Sequence, residues 1–421
     1  MRRNWTSTGK SSGSHQRTSW SQRRSRTSDD PAAPGREPIR KGRGVNTTKR
    51  SGPGNEIPSV RLLGTPPWQG PECPGGLRKS ATALRSLVRG REAPVHVLVI
   101  GGTQFFGWDL VEQLLDRGDH VTVFSRGRRR PPFWDRVEHV PGDRSDPRAV
   151  AATVRGRRFD AVVDNIAFQP QDVTSVLDAL GPGAGHYLLT SSGAVYPDFA
   201  PPDVFRPVPE EAADLSLRGD GGYAEGKRAC EQVLREQQTV PFTVIRPPIV
   251  QGPRDPTLRG WFWYQRIRDG GPVIVPRRYP APIWRQAYSR DVASAIVLAA
   301  GNPAAFGKTY NVAGAEIVAL EEFVRLAADA CGVPDPVVVI PEDDLRRETP
   351  WYRPPFLHRF VLDISRATAE LGFRPTPLDQ WLRDTVRWHL EAELPPAPGY
   401  DRRAEERALA SRRGDLRPPA G

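Results

Sequence analysis

The stretch PVHVLVIGGTQFFGWDLVEQLLDRGDHVTVFS, Pro94 to Ser125, limits the folds open to this chain more than any other. PVHVLVI is a β-branched run of buried-strand length, ended by Gly101 and Gly102. FFGWDLVEQLLDRG repeats apolar residues at helical spacing and stops at Gly118. HVTVFS then reads as a second strand. A helix between two buried strands is the crossover that parallel pairing requires, so a right-handed βαβ unit follows.

The alternation continues. VEHVPGD reads as a third strand, DPRAVAATVRGR as a helix, FDAVVDNIAF as a strand, QDVTSVLDAL as a helix and HYLLTSS as a strand. Such a series predicts an α/β fold, a doubly wound Rossmann-type parallel sheet with helices on both faces. Residues 94–394 are expected to make up this domain.

The glycine turn therefore has the setting that a dinucleotide-binding fingerprint needs, a strand before it and a helix after. Gly101 makes the tight turn and Gly107 lets the helix approach the strand; Thr103, Gln104, Phe105 and Phe106 lie between them. Free N–H groups at the start of the helix suit a pyrophosphate. Gln104 stands where a middle glycine is expected, so either the loop bends differently or the glutamine amide reaches the phosphates. A purely structural glycine turn is the plainer alternative.

Farther along, Ser192 ends the HYLLTSS strand, and GGYAEGKRACEQ begins at Gly221. Tyr223 and Lys227 fall one helical turn apart on the same face. An ammonium beside a phenol favours the phenolate, so Lys227 is expected to lower the Tyr223 pKa and ready it for proton transfer near neutral pH. Ser192 is at the carboxyl edge of the sheet, where ligands bind, and is placed to hydrogen-bond the same substrate oxygen. A solvated helix face is the bland alternative for the tyrosine and lysine.

The net charge of +11 is unevenly distributed: residues 1–94 hold 19 Lys and Arg against 6 Asp and Glu, the remainder 41 against 43. The first 93 residues are rich in Ser, Arg, Gly, Pro and Thr and lack apolar periodicity, so they are expected to be disordered, as are 395–421. A nucleic-acid-binding arm, an organelle transit peptide and a dispensable or untranslated extension all fit the basic tail, and the last is preferred. Met1 is the only methionine, so a start near Val95 would need a valine-type codon. Cys73, Cys230 and Cys331 lie far apart with no CxxC, which argues against a zinc site or disulfides and fits a reducing cytoplasm. No stretch approaches the roughly 18 apolar residues of a membrane span.

The order glycine loop, strand-end serine, YxxxK resembles an extended-type short-chain dehydrogenase/reductase of the NAD-dependent epimerase/dehydratase family, from about Val95 to Leu394. RPPIVQGPRD from Arg246 is similar to a family segment whose backbone lies near the nicotinamide, which brings in Pro247 and Val250. QAYSRDVASAI resembles the stretch before a late helix, with Asp291 at its aspartate, and KTYNVAG and LDISRATAELGFRPTPLDQWLRDTVRWH resemble the end of the family's substrate lobe. The resemblance implies a smaller C-terminal substrate-binding lobe interleaved with the Rossmann domain, mainly at 200–220 and 251–394. The GGTQFFG loop and RGWFWYQRIRDGGPVIVP look like an atypical branch that contains chloroplast stem-loop RNA-binding proteins, which makes Gln104 a feature of the branch.

The resemblance also carries expectations for the cofactor. Asp143 matches the aspartate near the adenine, with Arg144 beside it, and Asn165 and Ala167 fall behind the adenosine ribose. Family members that use NAD often have an acidic residue ending the second strand. Here Ser125 and Arg126 stand there, followed by Arg128, Arg129 and Arg130, so a 2′-phosphate and NADP are favoured, with NAD as the alternative. Nucleotide-sugar epimerases have VYG where this chain has Val195-Tyr196-Pro197, which weakens a sugar-nucleotide substrate. Trp261, Phe262, Trp263 and Tyr264 either line a pocket or pack a helix; Arg254, Arg259, Arg285 and His358 either meet substrate or lie at the surface.

Two functional classes result. One is an NAD(P)-dependent reductase, dehydrogenase or epimerase that uses Ser192, Tyr223 and Lys227 on a small-molecule substrate. The other is a non-catalytic dinucleotide sensor or RNA-binding protein on the same fold. The first is preferred, with no metal, membrane or nucleic-acid partner expected and a homodimer compatible with the reading.

Overall fold

The computed structural model describes residues 94–415, apart from 182–184, 198–205 and 219–220. The expected disorder of residues 1–93 lies outside the described residues. The main sheet contains β1 (His96–Ile100), β2 (His120–Ser125), β3 (Glu138–Pro141), β4 (Ala161–Asp164), β5 (Tyr187–Thr190), β6 (Phe242–Arg246) and a seventh strand, Lys308–Asn311. Its spatial order is seventh strand, β6, β5, β4, β1, β2, β3, and every neighbouring pair is parallel. Strand order reverses between β1 and β4. That switch point opens a crevice at the carboxyl edge of the sheet.

Alternation along β1 explains the two layers of helix. Val97 and Val99 pack with Leu110, Val111 and Leu114 of α1 (Phe106–Arg117) and with Ala293, Ile296 and Val297 of the Ser289–Ala299 helix. Leu98 and Ile100 point to the other face. There they meet Val150 and Val154 of α2 (Pro147–Val154), Val173 and Val176 of α3 (Pro170–Leu180), and Cys230 and Leu234 of α4 (Tyr223–Glu236). Full burial of such side chains contributes about 1.5–3 kcal/mol each, which favours a sheet covered on both faces. Polar ends set the helix limits: Asp146 Oδ1 accepts from Arg148 N at 2.9 Å before α2, and Gly118 closes α1 in the left-handed region.

The lobe has its own core. Trp261, Phe262, Trp263 and Tyr264 are all buried in it, with Phe323, Tyr352 and Trp381. Of the two readings open for these four aromatic residues, the structure gives helix packing.

The expectation of a disordered segment at 395–421 is corrected over much of its length, because Arg402–Asp415 forms a helix. Its Glu405 is fully buried, 2.8 Å from Arg266 Nη2, and the Arg266 guanidinium lies 3.7 Å from the Phe262 ring centroid. The partner comes from 139 positions away, so the polar local composition conceals the attachment. No helix among the described residues is long and apolar enough to cross a membrane.

Candidate functional site

A cleft of about 1120 Å³ runs along the carboxyl edge of the sheet. It is larger than the roughly 300–1,000 Å³ of an ordinary small-molecule pocket, leaving room for a cofactor and a second ligand. One end is lined by Gly101, Thr103–Gly107, Ser125, Arg126, Asp143 and Arg144; the other by Ser192, Tyr223, Lys227, Pro247 and Val250, with Asn165 between. Every residue expected at the site reaches the cleft except Ala167, which is fully buried.

In the glycine loop, a Cβ on Gly107 would stand 2.1 Å from the Gly101 carbonyl oxygen, so the start of α1 can press onto the turn only without a side chain there. Asn165 Nδ2 donates to that same carbonyl at 3.2 Å, and its Oδ1 accepts from Thr190 Oγ1 at 2.8 Å. Asn165 therefore braces the turn from β4. Besides Gly101, at φ +89°, the loop residue with a positive φ is Phe105, at φ +54°, not Gln104. An L side chain at such a positive φ costs roughly 1–3 kcal/mol, so the loop holds strain one residue beyond the absent glycine.

The Ser/Tyr/Lys group is assembled by close backbone approach. A Cβ on Gly226 would lie 2.1 Å from the Phe168 carbonyl oxygen, so α4 touches the loop after β4. This contact brings Lys227 Nζ within 2.7 Å of both the Ala167 and the Thr190 carbonyl oxygens, to which it donates. Burial is the main cause that pushes the lysine pKa down to about 8. Ala167 thus acts through its carbonyl, on the lysine. Ser192 Oγ accepts from Ala194 N at 3.1 Å.

One expectation is reversed. Lys227 is expected from its spacing to lower the Tyr223 pKa, but the tyrosine is held above its ordinary value. Partial burial of this half-exposed side chain is the largest cause, and a hydrogen bond from Ser192 and the Arg259 charge offset it only in part. Lys227 Nζ is turned toward the two carbonyls and sits 5.8 Å from the Tyr223 ring centroid. Phe168 covers the ammonium more closely, at 4.7 Å.

The arginines separate by their partners. Arg144 Nη2 donates to Asp164 Oδ2 at 2.6 Å and to the Asp172 carbonyl, so it is anchored in the cleft wall. Arg254 pairs with Asp109, and Arg285 Nη1 donates to the Leu362 carbonyl at 2.8 Å. Arg259 and His358 line the cleft. Asp291 accepts from Thr376 N and Oγ1, and burial raises its pKa to about 6. Asp164, Phe168 and Thr190 are not singled out by the sequence. Their positions depend on the Gly226 contact and on strand register, for which no local pattern exists.

The profile of the NAD dependent epimerase/dehydratase family matches residues 97–313. The chain belongs to that family. Among relatives of this epimerase/dehydratase-family chain, the "Chloroplast stem-loop binding protein of 41 kDa b" of Arabidopsis thaliana is 28% identical over 297 residues, 66% of this chain and 75% of the relative. The dTDP-4-dehydro-6-deoxy-D-allose reductase of Streptomyces bikiniensis is 26% identical over 330 residues, covering 69% and 95%. A solved UDP-glucose 4-epimerase of Thermus thermophilus in complex with NAD superposes with a TM-score of 0.56 at 25% identity, covering 70% of this chain and 99% of that one.

Proposed function

We propose that the protein is an NADP-dependent oxidoreductase or epimerase acting at a carbinol or carbonyl carbon of a small molecule. The observation that carries this reading is the continuity of one cleft from the glycine loop to Ser192, Tyr223 and Lys227. The Gly101–Gly107 approach forms a cradle that a Cβ would fill, which fits a dinucleotide pyrophosphate. Bound there, the nicotinamide would supply or accept a hydride.

The chain's own groups have separate tasks. Lys227 spends two N–H donors on Ala167 and Thr190 and keeps a third, which would hold the nicotinamide ribose. Tyr223 gives a proton to the substrate oxygen or takes one from it, and Ser192 steadies that oxygen. The raised Tyr223 pKa keeps the phenol protonated at neutral pH and suits proton donation to a carbonyl. Ser125 and Arg126 would take the 2′-phosphate.

A binding protein without catalysis is the second reading, favoured by the name of the Arabidopsis relative. The near balance of charge beyond residue 94 speaks against a large phosphate-contacting surface there. Titration with NADPH and NADH, followed by nicotinamide fluorescence, and then NADPH oxidation with a panel of aldehydes and ketones, tests the choice. Saturable dinucleotide binding with turnover supports the enzyme. Stem-loop RNA binding at physiological salt without dinucleotide binding overturns it.

A further inference from the structure

His139, on β3, lies behind the end of β2 and outside the cleft lining. Its Nε2 is 3.1 Å from the Ser125 carbonyl oxygen and 3.1 Å from Ser125 Oγ. A carbonyl oxygen only accepts, so Nε2 carries the hydrogen in this arrangement. Gly127 N also donates to Ser125 Oγ, at 3.3 Å. Two N–H groups therefore face Oγ, and the hydroxyl's own hydrogen remains as a donor.

The imidazole is held where it can do this. The Trp134 ring lies against it with centroids 4.2 Å apart, and a Cβ on Gly127 would come within 3.2 Å of His139 Cε1. Ser125, Arg126, Gly127, Arg128 and Arg129 all line the cleft beside it. Asp143 lines the same end, with its Oδ1 occupied by Ser145 N and Oγ.

We propose that His139 is a positioning residue for cofactor choice: it presets the Ser125 hydroxyl as a donor, so that the β2 turn selects a phosphomonoester at the 2′ position of the adenosine over a free hydroxyl. A phosphate oxygen only accepts, and its bond to a preset donor is charge-assisted, roughly twice as strong as a neutral one. Without His139 the Ser125 hydrogen can turn onto a backbone acceptor and the preference weakens. This inference rests on the NADP reading above.

Titration calorimetry with adenosine 2′,5′-bisphosphate and with 5′-AMP isolates the phosphate from the rest of the cofactor. His139→Phe keeps a ring against Trp134, and His139→Asn removes the ring and cannot reach Ser125. Each should weaken the bisphosphate about fivefold or more, leaving 5′-AMP within about twofold. His139→Gln, whose amide N–H reaches the Nε2 position, should restore most of the loss. Equal weakening of both nucleotides, or no rescue by glutamine, overturns the role of His139. A wild-type protein that prefers the bisphosphate while both variants keep that preference overturns His139 and leaves the NADP reading standing. Absence of any wild-type preference overturns both.

Discussion

Arg254 Nη2 lies 2.6 Å from Oδ1 of Asp109, and Ser289 Oγ donates to Oδ2 of the same carboxylate at 2.6 Å. Asp109 is 2% exposed, and burial raises its pKa against the pull of Ser289 and Arg254. The Arg254 guanidinium also covers the Trp108 ring at 4.6 Å. The pair ties the first turn of α1, next to the dinucleotide loop, to the segment entering the lobe. Arg254→Met would leave a buried carboxylate without its cation, a loss of roughly 3–5 kcal/mol in urea unfolding. Adding Asp109→Asn should return most of it. A double variant no more stable than the single one would show that Arg254 acts through packing on Trp108.

The glycine loop gives contrasting expectations for neighbouring positions. Gly107→Ala places a methyl 2.1 Å from backbone oxygen that has no room to move, so dinucleotide binding should be lost and the melting temperature should fall. Gln104 has no positive φ and lines the cleft, so Gln104→Gly should leave NADPH affinity within about tenfold, or 1.4 kcal/mol. A glutamine amide that itself holds the phosphates would reveal itself as a larger loss.

The sheet was legible because its cause is local. Burial on both faces demands apolar runs such as HVLVI, and the helix between runs leaves only parallel pairing. The glycine loop and Tyr223–Lys227 were legible for the same reason, each lying within one turn of chain. Electrostatics at the site was not. The spacing of Tyr223 and Lys227 suggests that one charge tunes the other, whereas the lysine is drawn to the Ala167 and Thr190 carbonyls by strand register and by the Gly226 contact. The helix Arg402–Asp415 was hidden likewise, since the burial of its Glu405 depends on the distant Arg266 as well as on the local Arg402.

Cofactor choice should turn on Arg126. It lines the cleft at the end of β2, and Asp143 feels its charge. Arg126→Asp replaces the proposed 2′-phosphate partner with a like charge. NADPH should weaken about tenfold or more while NADH is spared, on the scale of one charge-assisted hydrogen bond. Equal effects on both dinucleotides, measured by fluorescence titration, would remove the arginine from the reading.

His389 should shape the acid limb of stability. It is 1% exposed, Nδ1 donates to the Thr385 carbonyl at 2.7 Å, and burial lowers its pKa from 6.5 to about 4. Between those values the unfolded chain binds a proton that the folded chain refuses. Stability is therefore lost as pH falls from 6.5 toward 4, by roughly 3 kcal/mol in all. Asp291, raised to about 6, works in the opposite sense over part of the same window, so the wild-type curve is a sum. His389→Leu isolates the histidine: the difference between the two urea-derived stabilities should grow in favour of the variant as the solution is acidified. A difference that stays constant with pH contradicts the buried neutral imidazole.

Tyr223→Phe tests the chemistry itself. The change removes one hydroxyl from a residue that is 52% exposed, so packing and NADPH affinity should be nearly unchanged. Turnover should fall by roughly 10²–10⁴-fold, the range associated with a positioned general acid or base. The pH profile supplies a second readout. Lys227, with its pKa lowered to about 8, is charged below that value and neutral above it, so its hold on the ribose should slacken and kcat/KM for NADPH should decline as pH rises through about 8. Tyr223 is held above its ordinary value and stays protonated across that range, so the alkaline limb belongs to the lysine and should survive in the residual activity of the Tyr223→Phe variant. Turnover untouched by Tyr223→Phe would remove the phenol from proton transfer, and an alkaline limb that vanishes with it would assign that titration to the tyrosine instead.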